Sequence, residues 1–142
     1  MAVNNPFRYG PFVTNRCGEA PPAELLRGIE QFNRGEFFEQ HETLEALWRA
    51  ERDPVRYLYQ GILLVGVGML HRQRGNYHGA VIKLATAVRF LRWFAPTCQG
   101  VDVAALIAEA NRAREHLLAL GPERLGEFPS DLTPVVRPPS LS

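Results

Sequence analysis

The stretch that decides the fold is YLYQGILLVGVGML, from Tyr57 to Leu70. A helix drawn through it is apolar on nearly every side, whereas a helix at a protein surface carries one apolar stripe. Its best apolar run, GILLVGVGML, is about half as long as a helix that spans a bilayer. It therefore predicts the central helix of a small bundle. Gly61 and Gly68, seven residues apart, share a face of this helix and would let another helix approach closely.

Turn and capping residues on both sides of this stretch predict four further helices and no sheet. Proline opens a helix, glycine ends one, and aspartate caps the helix that follows it. By these signals the first helix opens at Pro21 and Pro22 and ends at Gly35, the second runs from about Glu36 to Glu51, the third from Pro54 to Arg74, the fourth from Tyr77 to Phe94, and the fifth follows Asp102 and ends at Gly121.

The chain is expected to form one domain, residues 1–142, of the all-α class: a single compact bundle of about five helices with extended N- and C-terminal arms. Residues 1–20 are the N-terminal arm, and its aromatic residues Phe7, Tyr9 and Phe12 would dock on the bundle. Residues 21–121 are the helical bundle. Residues 122–142 are a Pro-rich tail, which cannot be regular helix or a central strand.

The composition, 46% hydrophobic and 22% charged, is that of an ordinary globular protein. Sixteen basic and fifteen acidic residues give a net charge of +1, which argues against nucleic acid as a partner. Because the N-terminus lacks the layout of a signal peptide, we predict a soluble, cytoplasmic protein with no membrane partner. Fifteen of the basic residues are Arg and only Lys83 is Lys, which we interpret first as the codon usage of a GC-rich genome.

The two cysteines, Cys17 and Cys98, lie far apart in the sequence, one in the N-terminal arm and one after the fourth helix. Their spacing matches neither a disulfide framework nor a zinc-binding pattern. Neither cysteine has a histidine nearby in the sequence that would activate a thiol nucleophile. We therefore expect no disulfide framework and no catalytic thiol.

The second helix, GEFFEQHETLEALW from Gly35 to Trp48, places titratable residues among apolar ones. On a helical wheel of about 100° per residue, three apolar side chains fall together and mark the direction of the core. The wheel assigns Phe37, Leu44 and Trp48 to the core, and Glu39, Gln40 and Thr43 to the side that faces water.

His41 and Glu45 fall between this apolar group and Phe38 on the wheel, so both side chains are predicted to point inward and to be mostly buried. They are four residues apart and can therefore reach each other. A buried carboxylate without a partner costs several kcal/mol, so Glu45 must be paired, with His41 as the nearest candidate. Glu42 lies at the edge of this cluster.

The third helix offers Gln60 and His71, which lie on nearly the same face but roughly 16 Å apart along the axis. Only one of them can therefore join a cluster around His41. Antiparallel packing of the second and third helices favours Gln60, because it sets the start of the third helix beside Glu45 and Trp48. His71 would then lie near Phe37, Phe38 or the turn at Asn76.

HETLE, from His41 to Glu45, resembles the H-E-x-x-H helix of zinc peptidases, but Glu45 stands where the second histidine belongs. A histidine with carboxylates can still bind a harder divalent ion such as manganese, magnesium or iron. Three readings stay open for His41 and Glu45: a buried structural hydrogen-bond network, a ligand or metal site, and a solvent-facing pair. In an enzyme, Glu45 or Glu42 would be the base and His41 a ligand or acid, in hydrolysis or proton transfer.

RGEFFEQHETLEALW and RGNYHGAVIKLATAV align on Arg-Gly-x-aromatic, with Gly35 and Gly75 about forty residues apart. The second segment resembles the second helix of a tetratricopeptide unit, although a stable solenoid normally needs at least three units. The alignment predicts two helical hairpins of similar geometry, with a groove for a peptide or another subunit.

With these segments laid out, the chain resembles the bacterial and archaeal family called domain of unknown function 309, over roughly residues 24 to 95. The resemblance implies a compact all-helical protein and no particular activity, and it directs attention to a few polar residues. The matching residues are Phe38, Glu39, His41, Glu42, Leu44, Glu45 and Trp48 in the second helix, and Gln60, Gly61, His71, Gly75 and Asn76 after it.

Two hypotheses follow, and the sequence does not decide whether the protein is an enzyme. In the first, a cluster on the second and third helices binds a small molecule or a divalent metal ion; in the second, the protein is an interaction module, a homo-oligomer, and the cluster only fixes helix packing. The candidate ligand-binding residues are His41, Glu42, Glu45, Trp48, Gln60 and His71, of which His41 and Glu45 are the candidate metal ligands.

Overall fold

The computed structural model describes residues 7–139, and in this range the chain forms five α-helices and one short hairpin. The first six residues of the predicted N-terminal arm and the last three of the tail lie outside the described residues. The predicted all-α bundle is confirmed, but the hairpin contradicts the expectation of no sheet. The helices are α1 (Ala23–Asn33), α2 (Phe37–Ala50), α3 (Arg56–Gln73), α4 (Tyr77–Leu91) and α5 (Val103–Leu120); the antiparallel strands are β1 (Thr97–Cys98) and β2 (Val101–Asp102).

Helix α3 is the centre of the bundle, as its all-round apolar character predicts. It packs against α2 on one side and α4 on the other. Gly61 lies against Leu91 and the backbone of Ala87, and Gly68 lies against Leu84 and the backbone of Ala80. The predicted close approach at the two glycines is therefore confirmed, and its partner is α4.

The α1–α2 and α3–α4 pairs are hairpins with the same turn. Gly35 and Gly75 have φ angles of +77° and +76°, a left-handed conformation that glycine adopts without strain. In both turns the residue after the glycine donates its backbone N–H to a carbonyl five residues earlier, Glu36 to Gln31 at 2.9 Å and Asn76 to His71 at 2.8 Å. The turns of the two hairpins are therefore alike, as the aligned segments predict.

The N-terminal arm docks on the bundle through its aromatic residues, as predicted for Tyr9 and Phe12. The ring of Phe12 stacks on Tyr57 with centroids 3.9 Å apart and an interplanar angle of 12°. The backbone carbonyl of Tyr9 accepts a hydrogen bond from the indole of Trp93 at 2.6 Å. These contacts place the arm across the ends of α3 and α4.

Cys17 and Cys98 form a disulfide, so the expectation that they do not pair was wrong. The arm crosses the bundle and reaches the β1–β2 hairpin, where the N–H of Gln99 donates to the carbonyl of Cys17 at 2.7 Å. Sequence spacing carries no information about this meeting, because it depends on how the arm packs on the finished bundle.

Tyr59, fully buried on α3, anchors the same hairpin by donating its hydroxyl to Oε1 of Gln99 at 2.6 Å. Burial of the hydroxyl, followed by the negative charge of Glu51, raises the pKa of Tyr59 to about 12. Because the folded state holds this proton more tightly than the unfolded chain does, stability is full below pH 10 and falls as the pH rises towards 12.

We expect wild-type protein to lose about 2 kcal/mol of unfolding free energy between pH 9 and pH 12 through Tyr59 alone. Urea titrations of wild type and Tyr59→Phe at several pH values measure this loss as the difference between the two proteins. The gap between them should shrink as the pH rises, and a gap that stays constant up to pH 12 would contradict the shift.

Candidate functional site

Helix α2 turns Phe37 and Leu44 towards the core, as the wheel predicted, but it also buries a residue that the wheel assigned to water. Phe37, Gln40 and Leu44 are its buried residues, and Gln40, predicted to face water, has an exposed fraction of 0%. Its side-chain amide lies on Gly66 and donates to the carbonyl of Leu63 at 3.2 Å. The prediction for Gln40 was wrong because a glycine and a backbone acceptor on α3 make room for a polar side chain.

His41 and Glu45 contact each other, and each side chain is about two-thirds buried. Nε2 of His41 lies 3.2 Å from Oε2 of Glu45, and the side chains are 37% and 33% exposed. Glu45 also accepts a hydrogen bond from Nη2 of Arg49 at 2.6 Å through its other oxygen. The predicted contact is confirmed, and the predicted burial is met in part, because the core direction lies nearer to Gln40 and leaves this pair at the side of α2.

The side of α2 that carries His41 and Glu45 forms one wall of a cleft with a volume of about 350 Å³. Helix α3 is its floor, and α4 supplies the other wall through Lys83. We call it the α2–α3–α4 cleft. Its lining residues are His41, Glu45, Trp48, Gln60, Leu63, Leu64, Val67 and Lys83.

A second lobe of about 300 Å³ extends this cleft towards the N-terminal arm. Several residues line both lobes, so the two are adjacent. The shared residues are Trp48, Gln60, Leu64 and Lys83, and the second lobe adds Phe7, Arg8, Tyr57, Thr86 and Phe90. Cavities of this size accommodate a small organic molecule.

Lys83 is the residue that the sequence analysis missed. It is the only lysine of the chain, and it lines both lobes of the cleft. Within residues 7–139 it makes no ion pair with a carboxylate. That the chain has a single lysine is visible in the sequence. Codon usage accounts for the excess of arginine over lysine, but it does not explain why one lysine is present.

Trp48 and Gln60 lie between the two lobes. The guanidinium of Arg56 stacks over one face of the Trp48 indole at 4.1 Å from the ring centroid. The indole Nε1 has no hydrogen-bond partner among the described residues, and neither does the side-chain amide of Gln60. The cleft therefore holds an aromatic surface beside an unused amide.

His71 is not part of the cleft lining. Its ring lies against Gly79, and its Nδ1 is 3.2 Å from the side-chain nitrogen of Asn76, at the turn between α3 and α4. Burial, together with the positive charges of Lys83 and Arg74, lowers the pKa of His71. The neutral imidazole is thus favoured at a position that stabilises the turn.

Glu42 is also separate from the cleft. It is exposed on the opposite side of α2, where it lines a shallow polar groove against α1. The structure therefore brings together four of the six candidate ligand-binding residues, His41, Glu45, Trp48 and Gln60.

The donor set of the cleft is poor for a metal ion. In the part of the chain that the structure describes, no three His, Cys, Asp or Glu side chains are grouped closely enough to hold one. His41 and Glu45 would supply two ligands, while Arg49 already occupies one oxygen of Glu45 and Lys83 brings a positive charge to the same cleft. A small molecule with an anionic group suits these residues better.

Residues 25–83 match the family model described as "Domain of unknown function (DUF309)". The match begins in α1 and ends in α4 at Lys83, so it includes most of the cleft. No curated protein and no solved structure matches the chain. No helix within residues 7–139 has the length and apolar character that a membrane-spanning helix requires. The segment from Leu25 to Lys83, which supplies His41, Glu45 and Gln60 to the cleft, belongs to the DUF309 family.

Proposed function

We propose that this protein binds a small organic anion in the α2–α3–α4 cleft. The observation that carries the proposal is the position of Lys83, a solitary ammonium group with no carboxylate partner among the described residues, in the wall of a cavity of ligand size. Glu45, the carboxylate that lines the same cleft, is already paired with His41 and Arg49. An anionic ligand would provide the missing partner for Lys83.

The rest of the lining supports a ligand with an apolar or aromatic body. Leu64 and Val67 form an apolar floor, and the indole of Trp48 offers a flat surface at the junction of the two lobes. Gln60 adds a neutral donor and acceptor. The ligand class is therefore an amphipathic carboxylate, phosphate or sulfonate rather than a bare inorganic ion.

We propose that this binding takes place in the cytoplasm. The Cys17–Cys98 disulfide is compatible with this location if it is transient, as disulfides of cytosolic proteins usually are.

A homo-oligomeric interaction module is the second candidate function, and two exposed apolar side chains favour it. Phe38, 47% exposed, continues the face of α2 that carries His41, and Ile82, 59% exposed, precedes Lys83 on α4. Sedimentation equilibrium between micromolar and millimolar protein tests this candidate. A mass that rises to twice that of the chain, and falls back in a Phe38→Ser/Ile82→Ser variant, would support it.

Binding of the fluorescent sulfonate 8-anilinonaphthalene-1-sulfonate (ANS) tests the anion site. We expect Lys83→Met to weaken ANS binding at least about tenfold, because the substitution removes one charge-assisted hydrogen bond and retains the side-chain length. Lys83→Arg should retain most of the affinity.

The matched control is Arg27→Met, which removes one positive charge from the exposed surface of α1, outside the cleft. It should leave ANS affinity unchanged. Equal binding by wild type and Lys83→Met, with both folded by circular dichroism, would refute the anion site.

A further inference from the structure

The N-terminal arm closes one end of the α2–α3–α4 cleft. Phe7 and Arg8 line the second lobe together with Tyr57 and Phe90. The arm supplies these residues only while it lies across the ends of α3 and α4. Its position therefore determines the shape of the lobe and whether a second cation, Arg8, is available to a ligand.

Noncovalent contacts also hold the arm, among them the hydrogen bond from Trp93 to Tyr9 described above and one from the Thr14 hydroxyl to Asp53 at 2.6 Å. Phe12 stacks on Tyr57 and lies beside Phe90, with ring centroids 5.8 Å apart, and both partners are themselves lining residues of the second lobe. Arg16 pairs with Glu51 at 2.8 Å, but both side chains are partly exposed and such pairs contribute little. Chain termini without stronger attachment are commonly the first segments to detach.

Apart from the continuous backbone that leads from the arm into α1, the disulfide is the one covalent attachment of the arm to the bundle within the described residues. Cys17 lies at the base of the arm, and Cys98 is buried in the β1–β2 hairpin. The N–H of Gln99 donates to Cys17 at 2.7 Å, so the covalent and hydrogen-bonded attachments coincide. With Cys17 fixed, residues 7–16 search only the surface near the cleft, which raises their effective concentration there.

We propose that the Cys17–Cys98 disulfide is a redox-dependent link that holds the N-terminal arm in place as the end wall of the ligand cleft. The oxidised protein then binds its anionic ligand more tightly than the reduced protein. This regulation rests on the proposed function, because it acts on the affinity of the same cleft.

The chemistry is a thiol–disulfide exchange with a dithiol reductant. A thiolate of the reductant attacks Sγ of Cys17, the more accessible of the two sulfurs, and the bond between the cysteines breaks with the electron pair leaving on Cys98. The second thiol of the reductant then releases Cys17. The two cysteines gain two electrons and two protons, and the reductant becomes a disulfide. In a reducing cytoplasm the open form is the resting state. Exchange with a small-molecule disulfide, which accepts the two electrons and two protons and becomes two thiols, re-forms the Cys17–Cys98 bond and closes the cleft.

Limited trypsin digestion of oxidised and dithiothreitol-reduced protein tests the link without any ligand. We expect cleavage after Arg8 and Arg16 to be at least about tenfold faster after reduction, because the released arm becomes accessible. Cleavage after Arg124, in the segment that follows α5, is the internal reference and should keep its rate.

ANS titrations of the same two samples test the effect on the cleft. We expect the reduced protein to bind ANS at least about threefold more weakly, since it loses the end wall of the second lobe. A Cys17→Ser/Cys98→Ser variant should behave like reduced wild type in both assays and should not respond to dithiothreitol.

The two proposals fail in different ways. Unchanged cleavage after Arg16 on reduction, or unchanged ANS affinity, overturns the redox link even when binding depends on Lys83. Binding that depends on the redox state but not on Lys83 overturns the anion site and leaves the closing role of the arm supported.

Discussion

The Cys17→Ser/Cys98→Ser variant is expected to unfold with a free energy about 3–4 kcal/mol below that of oxidised wild type. The two cysteines are 81 residues apart, and joining distant residues removes much of the conformational entropy of the unfolded chain. For a loop of this length the entropic model gives about 4 kcal/mol, to which the native contacts of the arm add little. Urea denaturation measures the difference, and the melting temperature should fall by about 10–15 °C.

Oxidised and reduced wild type provide the matched comparison, since they share one sequence. Dithiothreitol should lower the urea midpoint of wild type to that of the double variant and leave the variant unchanged. If reduction does not move the wild-type midpoint, the disulfide does not constrain the unfolded chain in solution.

Gly61→Ala is expected to lower the free energy of unfolding by about 2–3 kcal/mol and the melting temperature by about 6–10 °C. A Cβ at this position would lie 2.6 Å from Cδ2 and 2.7 Å from Cγ of Leu91. Cγ cannot move far without moving α4, so the two helices must separate and lose packing along their length. The better helix propensity of alanine offsets only about 1 kcal/mol of this loss.

Gly126→Ala is the control, because nothing lies within 4 Å of the added Cβ and its backbone is not left-handed. Its free energy of unfolding should stay within about 0.5 kcal/mol of the wild-type value. A Gly61→Ala protein as stable as Gly126→Ala would show that α3 and α4 are less closely packed than the structure indicates.

The helices could be predicted because their signals are local. Gly35, Gly75 and Gly121 end helices at the predicted turns, and Asp102 caps α5 by accepting the N–H of Ala105 at 3.0 Å. The apolar character of α3 on nearly every side also predicted that it is the central helix. These features depend on residues within a few positions of one another, where periodicity and capping chemistry are informative.

The hairpin and the disulfide could not be predicted in this way. Strands of two residues, Thr97–Cys98 and Val101–Asp102, leave no period to detect. The pairing of Cys17 with Cys98 depends on Phe12 reaching Tyr57 and on the arm continuing past the end of α3. Such contacts are set by tertiary packing, which one sequence does not reveal.

The candidate site was located on the correct helices but with incomplete membership. The wheel placed His41 and Glu45 in contact, yet it counted Phe38 as part of the inward group, although this ring is nearly half exposed. Lys83 was missed because it lies on α4, and no local pattern links α4 to the wall of a cleft formed mainly by α2 and α3. To predict which side chains of three helices lie close together, the angles at which the helices pack must be known as well as the faces that they turn towards one another.

The buried amide of Gln40 determines where the neighbouring histidine can lie. If α2 slid along α3 by one turn, about 5.4 Å, the amide would lose the carbonyl of Leu63 and the space above Gly66. An unsatisfied polar group in this apolar interface would cost about 1–3 kcal/mol, so alternative alignments of the two helices are disfavoured. Gln40 thus fixes the alignment of α2 on α3. The position of the His41 imidazole in the cleft therefore depends on a side chain that does not itself line the cleft.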